Sequence, residues 1–323
     1  MKTSITITGV QPSGRPHIGN YFGAMKQVVD LQDKHQLFVF VADYHAMTTI
    51  HDKDQLRKNI EDLILDYLAV GLDPEKTVIY RQSDIPEVTE LSWIFSTLVT
   101  TPWLERAHAF KDKTEKGIEA SVGLFTYPVL MAADILLPGA TVVPVGRDQI
   151  QHVEMAREIA RKFNATYGNT FAEPNELVSE ATGVVPGTDG QKMSKSYGNI
   201  IPLFGTDDEI KKAIMGIVTD STAVEEPKDP DTCTVFAIHK LVTPADELEE
   251  IRSSYLAGGT GYGEYKKKLL ENYLKYIGPM RKQREYYAGN PGIVRQILDS
   301  GSQSIQKIAK QRMKEVREKT GLK

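Results

Sequence analysis

The sequence predicts an α/β fold: a doubly wound parallel sheet followed by a smaller helical domain. Three observations carry this reading. Apolar runs alternate with helix-like stretches through the first half, the runs are apolar on both faces, and almost everything after Asp207 reads as helix. Strands buried on both faces belong to parallel sheets, because a parallel neighbour needs a crossover long enough to hold a covering helix.

Ser4 to Gly9 reads as the first strand. The turn Val10-Gln11-Pro12-Ser13-Gly14-Arg15-Pro16 then hands over to a helix beginning near His17. The apolar run Leu37-Phe38-Val39-Phe40-Val41 is a second strand, Asp54 to Val70 a helix, and Thr77-Val78-Ile79-Tyr80 a third strand. From Pro86 to Leu137 helical patterns dominate, as expected of an insertion between two halves of a sheet. Thr141 to Val145 supplies another strand and Ile150 to Phe163 another helix; the helical tail is broken by the loop Gly258 to Gly263. The expected domains are a Rossmann-type α/β domain over 1–200, with the insertion at about 86–137, and a helical domain over 201–323.

Length and composition agree with two domains. A chain of 323 residues with 41% hydrophobic and 25% charged residues can bury a sizeable core. Its formal net charge of −4 argues against a surface built to coat nucleic acid, so any such contact is local. One candidate is the basic run Lys307, Lys310, Arg312, Lys314, Arg317, Lys319 and Lys323, which taken alone is more often a solvated helix face. A single cysteine, Cys233, excludes an internal disulfide and a thiolate zinc site, and points to the cytosol. No apolar stretch reaches the ~20 residues needed to span a bilayer, and the first residues lack the apolar core of a signal peptide, so no membrane role is expected.

Three segments can carry chemistry. Pro16-His17-Ile18-Gly19-Asn20 follows the first strand, where a doubly wound sheet brings helix N-termini and small residues up to a nucleotide; alone it could be a tight turn with an incidental histidine. Lys192-Met193-Ser194-Lys195-Ser196, preceded by Gly187 to Gln191, is a cationic loop suited to a polyphosphate. In Gly123 to Leu137, Asp134 stands among apolar neighbours, with Tyr127 and Met131 near one helix face. A carboxylate there must find a donor, and a structural ion pair would satisfy it as well as a ligand would.

The first two segments resemble the HIGH and KMSKS elements of class I aminoacyl-tRNA synthetases, with Asn20 in place of the second histidine. A Walker A loop is absent, which disfavours P-loop ATP chemistry. The third segment resembles the indole-binding helix of the tryptophanyl-tRNA synthetase family. The likeness continues through Thr8 to Gly14, Asp43 to Ala46 and Val143 to His152, and so covers nearly the whole chain.

That resemblance implies an ATP- and tryptophan-dependent ligase for tRNA(Trp), working as a cytoplasmic homodimer with Mg²⁺ carried on ATP and tRNA read by the helical domain. It assigns Gln11, Pro12, Ser13, Gly19, Asn20, Gly146, Arg147, Asp148, Val185, Lys192, Met193, Ser194, Lys195 and Ser196 to ATP. Asp134, Met131, Tyr127, His45 and Gln149 would hold tryptophan, and His17, Lys113, Lys192 and Lys195 would act on the phosphates. His17 stands where many bacterial relatives have threonine, and Arg147 where the family run has glutamate. Within the same fold, a tyrosine enzyme is the nearest rival. A synthetase-like binding protein without catalysis and an adenylyltransferase are the more distant ones.

Overall fold

The computed structural model describes residues 4–106, 121–178 and 184–322. Strand β1 (Ile5–Val10) leads through the Gly/Pro turn into the short helix α1 (Ile18–Asn20), a π-helical turn (Tyr21–Met25) and α2 (Lys26–Leu31). There follow β2 (Gln36–Val41), α3 (Asp43–Ala46), α4 (Lys53–Ala69), β3 (Thr77–Arg81), α5 (Glu87–Ser96) and α6 (Thr101–Leu104). The next described helix is α7 (Val122–Leu136), then β4 (Val142–Val145), α8 (Ile150–Tyr167) and β5 (Asn175–Val178). The tail holds α9 (Asp207–Met215), α10 (Thr234–Val242), α11 (Ala245–Ala257), α12 (Tyr262–Gly289) and α13 (Pro291–Thr320).

Among the described residues five strands form one parallel sheet in the order β3-β2-β1-β4-β5. Chain order reverses between β1 and β4, and such a reversal opens a crevice at the carboxyl edge. Here the crevice is wide from its root. β1 pairs with β2 along its full length, from Ile5↔Gln36 to Val10↔Val41, but meets β4 only at Thr6↔Val142.

Side-chain alternation on β2 explains the two cores. Leu37, Val39 and Val41 face α4 and the C-terminal helices, whereas Phe38 and Phe40 face α5, α7 and α8. Local chemistry starts the helices. Asp52 accepts from the amides of Asp54 and Gln55 at the head of α4, and Thr206 with Glu209 forms a capping box on α9.

Helix α13 crosses from one core to the other: Leu298 lies in the first, while Ile305, Ala309, Met313 and Val316 lie in the second. Between them the helix passes over the backbone of β3 and covers that edge of the sheet, where open strand groups would invite pairing with another chain. A Cβ at Gly301 would stand 1.9 Å from the Ile79 carbonyl oxygen, so only glycine allows this contact. Ser302 then donates to Asp84 Oδ2 at 2.7 Å. The basic run is partly consumed in this docking: Arg317 pairs with Glu90, Arg312 donates to the Thr170 carbonyl, and Lys319 bonds Asn169 and Thr170. Lys307, Lys310 and Lys314 remain exposed.

Gly301→Ala should lower stability by about 1–3 kcal/mol through overpacking. A reduced urea midpoint at unchanged slope is the expected result; an unchanged midpoint would mean that α13 can lift off β3 freely.

Candidate active site

The splayed strands open onto a cavity of about 390 Å³. Ile7, Thr8 and Gly9 of β1 line one side, Val143, Pro144 and Val145 of β4 the other, with Phe40 from the end of β2. Met131, Asp134 and Ile135 come from α7, His45 from α3, and Gly146 and Gln149 from the turn after β4. The slot is therefore apolar, with a few polar groups that converge, as expected of a small-molecule site.

Asp134 is 3% exposed and faces this slot. His45 Nε2 lies 2.9 Å from its Oδ2, and the Gln82 amide nitrogen donates to both carboxylate oxygens at 2.9 Å. Burial pushes the Asp134 carboxyl above the usual carboxylate range, opposed by the bonds from His45 and Gln82. Among the described residues its partners are a histidine and a neutral amide. At the rim, Tyr127 is hydrogen-bonded to His152 Nε2, and His152 Nδ1 lies 2.9 Å from Gln149 Oε1. Burial raises the Tyr127 phenol to about 12, so it remains a neutral hydroxyl.

A second cavity of about 610 Å³ lies between the first glycine-bearing loop and the lysine loop, lined by Ser13, His17, Gly19, Asn20, Val184, Val185 and Lys192 to Lys195. It adjoins the first, because Gln11 lines one and Ser13 the other, and the Ser13 amide donates to the Gln11 carbonyl at 2.9 Å. His17 caps α1: its Nδ1 accepts from the Asn20 amide at 3.3 Å, so the ring proton sits on Nε2. Burial, then the charge of Lys195, drop its pKa from 6.5 to about 4, which leaves a neutral imidazole. A side chain at Gly19 would meet the His17 ring at 2.9 Å.

Two backbone bonds tie the loops together: the Ile18 amide donates to the Ile201 carbonyl at 3.0 Å and the Leu203 amide to the Pro16 carbonyl at 3.1 Å. They bring the lysine loop over the glycine loop, where Lys195 Nζ donates to the Ser13 and Gly14 carbonyls, each at 3.0 Å. Asn199, 3% exposed, clasps the loop from below. Its Oδ1 accepts from the Ser194 amide at 2.8 Å, and its Nδ2 donates to the Lys192 carbonyl and Asp189.

Of the residues expected to bind tryptophan, Asp134, Met131, Tyr127, His45 and Gln149 line the first cavity together. Ser13, His17, Gly19, Asn20, Val185, Lys192, Met193, Ser194 and Lys195 line the second, while Gln11 and Gly146 fall on the first. Pro12 is buried beneath the loop, its carbonyl accepting from Asn59; Arg147 and Ser196 are exposed and line neither cavity. Lys113 and the Asp148 side chain lie outside the described residues. The sequence reading missed Gln82, Phe40 and Asn199. The first two stand at the carboxyl ends of β3 and β2, and that position is the signal that could have found them.

A parallel sheet of this order, with one cavity at the reversal and a cationic loop beside it, defines a nucleotide-binding α/β enzyme. The profile of the family described as "tRNA synthetases class I (W and Y)" matches residues 2–276, and the chain belongs to that family. A "Tryptophan--tRNA ligase" of Fusobacterium nucleatum is 49% identical over 98% of each chain. The structure of the Campylobacter jejuni tryptophanyl-tRNA synthetase in complex with ADP and tryptophan is similar at a TM-score of 0.95, with 48% identity, covering 98% of this chain and 99% of that one. The Mycoplasma pneumoniae tryptophanyl-tRNA synthetase follows at a TM-score of 0.82 and 29% identity, over 99% of this chain and 98% of that one.

Two outcomes are expected. Asn199→Ala frees the lysine loop, so trypsin should cleave after Lys192 or Lys195 at least about tenfold faster, one lost buried hydrogen bond being worth ~1–3 kcal/mol of local opening. Because the folded His17 pKa is about 4 against 6.5, the unfolded chain takes up the proton first, and this group's contribution to stability is lost as pH falls through that window. His17→Gln should therefore lose less stability than the parent between neutral and mildly acidic pH in urea titrations.

Proposed function

We propose that the chain is a tryptophan–tRNA ligase, which activates L-tryptophan with ATP and transfers it to tRNA(Trp). The observation that carries this reading is Asp134. A buried carboxylate held, among the described residues, by a histidine and an amide rather than by an arginine faces an apolar slot that adjoins the lysine-loop cavity. An indole supplies a flat apolar body and one N–H donor. The family membership, and relatives of the same name over the full chain, support the same reading.

In the first step a tryptophan carboxylate oxygen attacks the α-phosphorus of MgATP. The P–O bond to the β-phosphate breaks, and pyrophosphate leaves with the electron pair. The nucleophile is ionised at neutral pH, so catalysis rests on positioning and on charge placed where phosphate charge grows. Lys192 and Lys195 are cations for that purpose, with Lys113 as a third. Neutral His17 offers its Nε2–H to a phosphate oxygen, and Gln11, Ser13, Gly19, Asn20, Gly146 and Val185 surround the nucleotide. Lys195, which bonds two carbonyls of the glycine loop, has those bonds to exchange for phosphate oxygens.

Gln149 and Tyr127 would receive the tryptophan ammonium and Met131 the ring face, leaving Asp134 and His45 at the indole edge. In the second step the 2′-hydroxyl of the terminal adenosine attacks the adenylate carbonyl and AMP leaves. The helical domain would read the anticodon by stacking on unpaired bases, in a cytoplasmic homodimer. Among the described residues no helix is long and apolar enough to cross a membrane.

ATP–pyrophosphate exchange tested against all the amino acids should single out tryptophan over tyrosine and phenylalanine; a tyrosine preference would refute the reading. Asp134→Ala should cut kcat/KM for tryptophan about 10- to 100-fold with ATP affinity retained, since a bond to a charged acceptor is worth ~1.5–3 kcal/mol. In single-turnover kinetics Lys195→Ala should slow adenylate formation about 10²-fold or more while binding changes less; the reverse pattern would remove it from the transition state.

A further inference from the structure

We propose that Gln82 is a positioning residue for substrate choice: it fixes the Asp134 carboxylate so that a single acceptor site is presented to a ligand N–H. The inference rests on the tryptophan reading above. Gln82 follows β3 directly and is fully buried, and it is not among the residues that line the slot. Its effect on a ligand must pass through Asp134.

The geometry fixes which end of the amide faces the carboxylate. Gln82 Oε1 accepts from the Tyr44 backbone amide at 3.1 Å, so its NH₂ must point the other way, and there Nε2 lies 2.9 Å from both Asp134 oxygens. Tyr44 immediately precedes His45, whose Nε2 meets Asp134 Oδ2 at 2.9 Å. One side chain thus joins the end of β3, the helix α3 and the helix α7. A carboxylate has about four acceptor sites. Among the described residues, Oδ2 meets both Gln82 Nε2 and His45 Nε2, whereas Oδ1 meets Gln82 Nε2 alone. The carboxylate cannot rotate without breaking the Gln82 bonds, and Oδ1 keeps an acceptor site for the ligand.

A buried carboxylate deprived of a donor is stabilised by taking up a proton or by turning away. Protonation replaces the charged acceptor that an indole N–H meets by a weaker neutral one, and turning away removes it. The apolar walls formed by Phe40, Val143 and Met131 would be untouched, so a ring without an N–H would bind as before. Gln82 therefore governs the preference for the N–H rather than affinity for the ring.

The test compares tryptophan with β-(3-benzothienyl)alanine, in which sulfur replaces the N–H, by ATP–pyrophosphate exchange on the full chain. Gln82→Met removes the amide at similar volume. Gln82→Leu removes the same donor with a shorter apolar side chain, while the Tyr44 amide keeps Asp43 Oδ1 as acceptor at 3.0 Å, so it carries the test if the methionine variant fails to fold. Both variants should lose about 10- to 100-fold of the parent's kcat/KM preference for tryptophan over the sulfur analogue, with KM for ATP unchanged. A preference equal to the parent's, or parallel losses for both amino acids together with ATP, would overturn the assignment. If the parent itself fails to prefer tryptophan, the functional reading falls first and takes the inference with it.

Discussion

The divergence of β1 from β4 is the constraint from which the rest of the site follows. Both strands continue past Thr6↔Val142, but their side chains then line a cavity instead of meeting across a ladder. Parallel strands on opposite sides of a chain reversal send their crossovers to opposite faces, so nothing fills the gap between them at the carboxyl edge. The loops that follow β1, β2, β3 and β4 all leave at that edge. Residues far apart in the chain, such as His45, Gln82, Asp134 and Gln149, reach one small volume because the sheet delivers them there.

Within that volume the buried carboxylate sets the order. Removing Asp134 from water would be costly without donors, and the fold supplies them from two separate elements. Such a cluster has little freedom to rearrange, because moving any member strands another polar group in an apolar surround. The same logic holds in the lysine-loop cavity in milder form. Lys195 rests on two backbone carbonyls, and Asn199 satisfies the turn beneath it, so the loop is held by a few polar bonds to neighbouring backbone.

The C-terminal helices are joined to the sheet rather than suspended from it. Arg284 of α12 pairs with both Asp62 and Asp66 of α4, each at 2.6 Å, and Tyr276 of α12 packs against Tyr21 and Phe22 beside the first loop. Helix α13 then returns along β3. The helical tail therefore touches the elements that carry the two cavities through packed side chains and ion pairs.

Much of this was legible in the chain itself. The strand, glycine turn and helix at the start, the run Lys192 to Ser196 and the lone aspartate in an apolar helix are local patterns, and local patterns survive without knowledge of the partner. Where the sequence reading fell short, the missing information was nonlocal. Strand β5 is short, partly polar and mostly exposed at a sheet edge, so no apolar period marks it. The periodicity of α13 shows that a helix forms but not which surface it covers, and only the contact at Gly301 decides that. Hydrophobic periodicity by itself determined the α/β class, and the motifs pointed to a phosphate-binding loop, whereas the candidate slot residues were named only through the resemblance to the synthetase family. Tertiary structure alone decided that Gln82 faces Asp134 and that the lysine loop lies over the glycine loop, because hydrogen bonds between distant segments are chosen by the packing of the whole sheet.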